Sequence, residues 1–198
     1  MPIIHDGHFR LHKLPMGPYD NNAYIISNPT QQECYIVDVP DNPMAILKEV
    51  GNYTVKGILI THNHFDHVND IPLIAKNTGA TVVGIVETAE DLAAKGCEKT
   101  IGCNIGGTVK LNGLELVFTH AFHSMSSNPS GVIIFYNNKT IYHAGDTGVF
   151  GDMKLIGEMY PIDLAFLPVG GHFTMGLKEA QKAIQLLNAK KIVPIHYN

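Results

Sequence analysis

Residues 61–67 read Thr-His-Asn-His-Phe-Asp-His, so four metal-ligating side chains, His62, His64, Asp66 and His67, fall within six positions. Alternate residues of an extended segment point the same way, which lets His62 and His64 grip one ion. The chain then rotates and turns Asp66 and His67 toward a neighbouring position. Two metal ions are therefore expected. Four such groups would be costly to bury unpaired, and an exposed loop has no reason to collect them. The other ligands must come from elsewhere. In Phe118-Thr119-His120-Ala121-Phe122-His123-Ser124 either histidine can complete the first site; His123 is preferred, with His120 packed near a strand end. In His143-Ala144-Gly145-Asp146-Thr147-Gly148 the glycines let the backbone turn closely, and Asp146 can offer one oxygen to each ion. His196 can finish the second site, with only Tyr197 and Asn198 beyond it.

Such a constellation is hydrolytic. Two cations about 3.5–4 Å apart bring a bridging water toward neutral pKa, giving hydroxide without a separate strong base, and polarise a carbonyl or phosphoryl oxygen. Asp66 is the expected catalytic group that accepts or relays a proton. Ser124 and Ser126 lack a glycine-flanked nucleophile elbow, so covalent catalysis is not expected. Nitrogen and carboxylate ligands without cysteine suit zinc, with manganese or iron as alternatives. Asp38, Thr61 and Thr147 are candidates to orient the imidazoles from behind. His172, after Gly170-Gly171, reads equally as a substrate contact or as loop packing. Met16, Tyr19 and Asn22 read as loop residues facing the pocket. His5, His8 and His12 make a weak case for a metal site near the amino terminus, and His143 reads as a buried, hydrogen-bonded histidine.

Elements that could position these groups follow from periodicity. Apolar and β-branched runs predict strands at 22–27, 34–39, 56–60, 80–86, 108–111, 115–119, 131–136, 140–143, 163–167 and 191–195. Apolar residues three or four apart predict helices at 43–50, 68–77, 88–95, 152–159 and 177–188. Asn28-Pro29 and Asn137-Asn138 mark hairpin turns. Hairpins first and strand–helix alternation later suggest an α/β fold with two sheets face to face and helices outside, a four-layer αββα sandwich. KGILITHNH and KKIVPIHYN echo one another, each running from lysine through a short strand into histidine. Both histidines thus leave carboxyl ends of strands, where open α/β sheets gather their chemistry.

Across 198 residues nothing reads as a hinge, so one domain spanning 1–198 is expected. No run of about 18 apolar residues is present, and MPIIHDGHFRLHK does not resemble a secretory signal, which predicts a cytoplasmic protein without membrane contact. Cys34, Cys97 and Cys103 are odd in number and lack CxxC spacing, and are read as packing or loop thiols rather than a designed Cys97–Cys103 bridge. A formal charge of −4 argues against a general grip on nucleic acid. The expected partner is a small-molecule substrate; one sequence fixes no oligomeric state.

The HxHxDH signature, the later single histidine, the GDTG aspartate and the terminal strand-histidine resemble the five ordered motifs of the metallo-β-lactamase superfamily, over positions 62 to 196. From about residue 80, NIGGTVKL, AFHS, KTIYHAGDTGVFGDMKLIGE, LPVGGHFTMG and VPIHYN resemble small lactonase-like metal-dependent hydrolases. GPYDNNAYIIS and ECYIVDVP instead look like the glyoxalase-II-like branches, so the chain reads as a hybrid, natural or engineered. It also stops sooner after the last ligand than the lactonase-like group does, which suggests a longer gene product. The resemblance implies cleavage of a lactone or phosphoester, with thioester or β-lactam hydrolysis as alternatives. Nucleases of the superfamily carry an RNA-binding domain or arm, and flavodiiron proteins a flavin domain; neither is visible in this sequence.

Overall fold

The computed structural model describes residues 3–6, 9–16, 21–124 and 128–197. The chain forms two compact units, Met1–Asn104 and Ile105–Asn198. The first holds a seven-stranded sheet in the order β1 (Ile3–Asp6), β2 (Arg10–Met16), β3 (Asn21–Asn28), β4 (Glu33–Val37), β5 (Thr54–Leu59), β6 (Thr81–Ile85), β7 (Thr100–Cys103). β1 to β4 pair antiparallel and β4 to β7 pair parallel. Parallel neighbours need crossovers. These are α1 (Pro43–Val50), the single turn α2 (Phe65–Val68) with α3 (Ile71–Thr78), and α4 (Val86–Ala94). The Asn42 side chain accepts from Ala45 N–H at 3.2 Å to start α1, and Pro43 supplies a preset helical φ beside it. Strand residues Ile25, Ile36, Ile58 and Val82 form one core cluster with Ile46, Ile71, Ile74 and Leu92 from the helices. Each such burial stabilises by about 1.5–3 kcal/mol.

The second unit holds a six-stranded sheet: β8 (Thr108–Leu111), β9 (Leu114–His120), β10 (Ser130–Tyr136), β11 (Lys139–His143), β12 (Leu164–Pro168) and β13 (Ile192–Ile195), in that spatial order. β8 to β11 form an antiparallel meander, then β11, β12 and β13 run parallel. The β10–β11 turn is Asn137-Asn138, with φ of 48° and 59°, the left-handed pair a tight hairpin demands. α5 (Met153–Met159) and α6 (Leu177–Leu187) make the crossovers. α6 buries Ala180, Ala183 and Leu187, three and four residues apart, against Ile133, Ala165 and Leu167 of the same core cluster. Two sheets flanked by helices give the mixed α/β class expected from the sequence. Among the described residues no helix is long and apolar enough to cross a membrane.

Several expectations need correction. The predicted helix 68–77 is broken at Asn69-Asp70, and α3 restarts at Ile71 with Pro72 in its first turn. Strands β1, β2 and β7 were not expected. β2 carries Lys13 and Pro15 among its apolar residues, and β7 is a four-residue edge strand containing glycine, so neither shows a clean period. Met16 is a core residue of β2 and Asn22 lies in β3 opposite Pro15, rather than in a pocket loop; Tyr19 lies outside the described residues. His12 bonds Glu49 Oε1 through Nδ1 (2.8 Å) and Ser27 Oγ through Nε2 (3.2 Å), tying β2 to α1 and β3 as a structural histidine. His8 and Ser126 are outside the described residues, and His5 lies in β1. The cysteines are free thiols: Cys34 and Cys97 belong to the first core, and Cys103 ends β7.

Candidate metal centre

In the first unit the site begins where parallel strands end. β4 and β5 are neighbours in register, Val37 against Leu59, so the residues just past them emerge side by side. Asp38 adopts a left-handed φ of 56°, a conformation aspartate tolerates better than most residues, and its N–H donates to Leu59 C=O (3.0 Å). That turn aims its carboxylate at the β5 loop. Oδ1 accepts Thr61 N–H (3.0 Å), and Oδ2 accepts Thr61 Oγ1–H (2.8 Å) and His67 Nδ1–H (2.9 Å). Because the Thr61 hydroxyl spends its one proton on Asp38, it can only accept from His62 Nδ1–H, 3.0 Å away. His62 and His67 are thereby both held with the proton on Nδ1 and the lone pair on Nε2, the tautomer a metal requires. Asp38 and Thr61 play the orienting part expected of them.

The rings cluster accordingly. The His62 centroid is 4.7 Å from that of His64 and 4.0 Å from that of His67. His62 and His67 are buried and His64 is half-buried. Asp66 stands half-buried in the first turn of α2. His62, His64 and His67 are thus brought together in the first unit.

In the second unit two candidate imidazole ligands converge on one carboxylate. Asp146 Oδ2 lies 3.2 Å from His196 Nε2 and 3.9 Å from His123 Nε2. Asp146 follows β11 through Gly145, whose φ of 64° makes the turn, and Gly145 N–H donates to His143 Nδ1 (3.2 Å). His143 is buried with its ring stacked on Phe166, as expected of a structural histidine. Thr147 departs from expectation. Its hydroxyl accepts Phe122 N–H (3.0 Å) and donates to Gly148 C=O (2.7 Å), while Gly148 N–H reaches Phe122 C=O (2.9 Å). It fastens the His123 segment to the Asp146 turn through backbone rather than through an imidazole. His120 packs against Phe150 at 4.6 Å, consistent with the preference for His123 as ligand.

His196 follows β13 with φ of 49°, a left-handed conformation costing about 1–2 kcal/mol for a side chain of this kind. Its backbone passes so close to Gly170 that a Cβ there would collide with the His196 carbonyl oxygen. Sequence reading missed this role of Gly170; the glycine pair after a strand was its only signal. His172 is exposed in the following turn, N–H to Gly170 C=O (3.0 Å), its ring edge-on to Phe173.

A model of the beta-lactamase superfamily domain matches residues 39–197. The UPF0173 metal-dependent hydrolase of Thermofilum pendens is 47% identical over 161 residues, 80% of this chain and 70% of that protein. Its counterpart from Pyrobaculum islandicum is 49% identical over 163 residues, 80% of this chain and 72% of that one. The chain belongs to the metallo-β-lactamase superfamily. Within it, this chain is one of the UPF0173 metal-dependent hydrolases. Igni18, a metallo hydrolase from Ignicoccus hospitalis, shares the fold with a TM-score of 0.77 and 37% identity, over 89% of this chain and 79% of that one.

A metal-dependent hydrolase needs a divalent ion, and the side chains present fit one. Imidazoles fixed as Nδ1–H tautomers, with a carboxylate facing two further imidazole Nε2 atoms, are the nitrogen and oxygen donors that zinc, manganese and iron accept.

Proposed function

We propose that this metallo-β-lactamase superfamily member hydrolyses a small ester-like substrate, a lactone or a phosphoester, at a dinuclear centre, and that its two units act together as one hydrolase domain. His62, His64 and His123 would hold one ion, Asp66, His67 and His196 the other, with Asp146 shared. What carries the reading is that His196 and His123, one from each proposed ligand set, both face the Asp146 carboxylate, as ligands of two ions sharing that carboxylate would. The family match, which runs through all seven positions, supports joining these residues with the histidines of the first unit.

When bound, two zinc ions would supply Lewis acidity and lower the pKa of a bound water toward neutrality. The protein's own residues do the rest. Asp38 and Thr61 hold His62 and His67 in the ligating tautomer, and Gly170 leaves room for the His196 backbone. Asp66 accepts or relays the proton released at attack, and His172 contacts the substrate from its exposed turn. The proposed partner is a small molecule in the cytoplasm, with no nucleic acid or membrane involved.

Elemental analysis of the purified protein, followed by assays on lactones, phosphodiesters, thioesters and β-lactams, tests the reading. Two metal equivalents with turnover of lactones or phosphodiesters, both lost in Asp146→Ala, is the expected result. Thioester turnover would favour the glyoxalase-II-like alternative, and no turnover on any class with metal bound would overturn the ester reading.

A further inference from the structure

Four segments at or near the candidate centre carry an exposed aromatic residue directly beside a histidine. The pairs are His64-Phe65, Phe122-His123, His172-Phe173 and His196-Tyr197. Phe65, Phe122, Phe173 and Tyr197 are 66%, 61%, 66% and 44% exposed. Among the described residues no other phenylalanine or tyrosine is exposed. A scattered exposed apolar residue needs no explanation. A complete segregation of exposed rings to positions next to these histidines does.

Three of the four belong to the second unit, where their placement is fixed from behind. Phe122 is held by both its backbone groups to Thr147 and Gly148, next to Asp146. Its ring meets His120 at 5.4 Å and Phe150 at 5.3 Å, so it is supported by two neighbours while staying largely exposed. Phe173 belongs to the turn that begins at Gly170, and it is Gly170 that lies against the His196 backbone. Tyr197 follows His196 itself. The three exposed rings thus stand on the loops that carry His123, His172 and His196, two of which face the Asp146 carboxylate. Small-molecule sites are built in this way, with few polar groups at the chemistry and apolar walls around it.

We propose that Phe122, Phe173 and Tyr197 bind an apolar acyl or alkyl chain of the substrate, so that the enzyme prefers esters or lactones bearing such a chain over small polar ones. This rests on the hydrolase reading above and adds the substrate's class to it. Burying one methylene on such a surface strengthens binding by up to about fourfold.

The test uses the metal-loaded protein and the double variant Phe122→Ser, Phe173→Ser, both positions being exposed enough for the fold to survive. Carboxylates from acetate to octanoate are titrated calorimetrically, a binding readout that needs no turnover. Esters of the same acids are assayed in parallel, and sedimentation is run on both proteins. Affinity rising by about two- to fourfold per methylene in wild type and nearly flat in the double variant is expected. A flat wild-type series, or an unchanged slope in the variant, overturns the proposal. So does a wild-type oligomer that the double variant dissociates while keeping the slope, since the rings would then be an interface between copies. Chain-length-dependent carboxylate binding without ester turnover would sink the ester reading and leave the apolar site standing; turnover without length dependence would do the reverse.

Discussion

Asp38→Asn separates the orienting network from the ligands themselves. Asparagine tolerates the left-handed φ of 56°, so the backbone need not move. The amide offers only one acceptor oxygen where the carboxylate accepts three hydrogen bonds of 2.8–3.0 Å. If that oxygen keeps Thr61 N–H, an NH2 group faces His67 Nδ1–H and the Thr61 hydroxyl, donor against donor. Relief comes by shifting the His67 proton to Nε2 and turning the Thr61 hydroxyl toward His62 Nδ1, which moves that proton to Nε2 as well. Both imidazoles are then in the wrong tautomer for a metal. Binding must restore at least one buried donor–donor clash, at about 1–3 kcal/mol, so metal affinity should fall about 10- to 100-fold, the range typical for partners of ligating histidines. At fixed metal concentration this removes about 1.4–2.7 kcal/mol of ligand-linked stability, or about 3–10 °C of the metal-induced rise in Tm for a protein of this size. Chelator competition and melting with and without metal measure both quantities. Affinity within twofold of wild type would refute the tautomer argument.

Gly170→Ala forces a Cβ onto the His196 carbonyl, a backbone atom that no rotamer change can clear, and should cost about 1–3 kcal/mol and weaken binding of one ion. Gly171→Ala, with φ of 82° but open space around it, should lose stability yet keep full metal stoichiometry by elemental analysis. Asp163 lies between Lys190 (2.8 Å) and Lys139 (3.9 Å) and accepts Thr140 N–H; burial alone would raise its pKa, but these partners outweigh it and hold the carboxyl below its ordinary value. Its contribution, up to about 1 kcal/mol, is present above the ordinary carboxylate pKa and lost as pH falls through the lower folded value. Asp163→Asn should therefore melt about 2–4 °C below wild type at pH 7, a gap that begins to close below about pH 4 and vanishes once the pH lies below the lowered folded pKa. A gap that persists in acid would contradict this. Burial pushes the Cys34 thiol up to about 12, so a thiol reagent at pH 8 should label Cys103 well before Cys34 in the native protein. Mass mapping of the labelled peptides reports the order.

The sequence alone determined the family and the candidate donors, because ligand type is local: HxHxDH, GDTG and a strand-terminal histidine offer donors by residue type and spacing. It also determined the central strands and the α1 and α6 helices, whose apolar periods are long and clean. Tertiary structure decided the rest. Whether His120 or His123 faces the carboxylate depends on where β9 ends and on Thr147 fastening Phe122 to a turn some 25 positions away. The imidazole tautomers depend on Asp38 reaching across two strand ends, 23 and 29 positions along the chain. Strand β2 and edge strand β7 were invisible because their polar and glycine residues break the period, and only pairing with a neighbour makes them strands. Gly170 looked like one of many loop glycines until His196, brought beside it by parallel pairing of β12 and β13, left no space for a Cβ. Periodicity reports what a segment buries, whereas these contacts arise only when segments distant in the chain share an edge of a sheet.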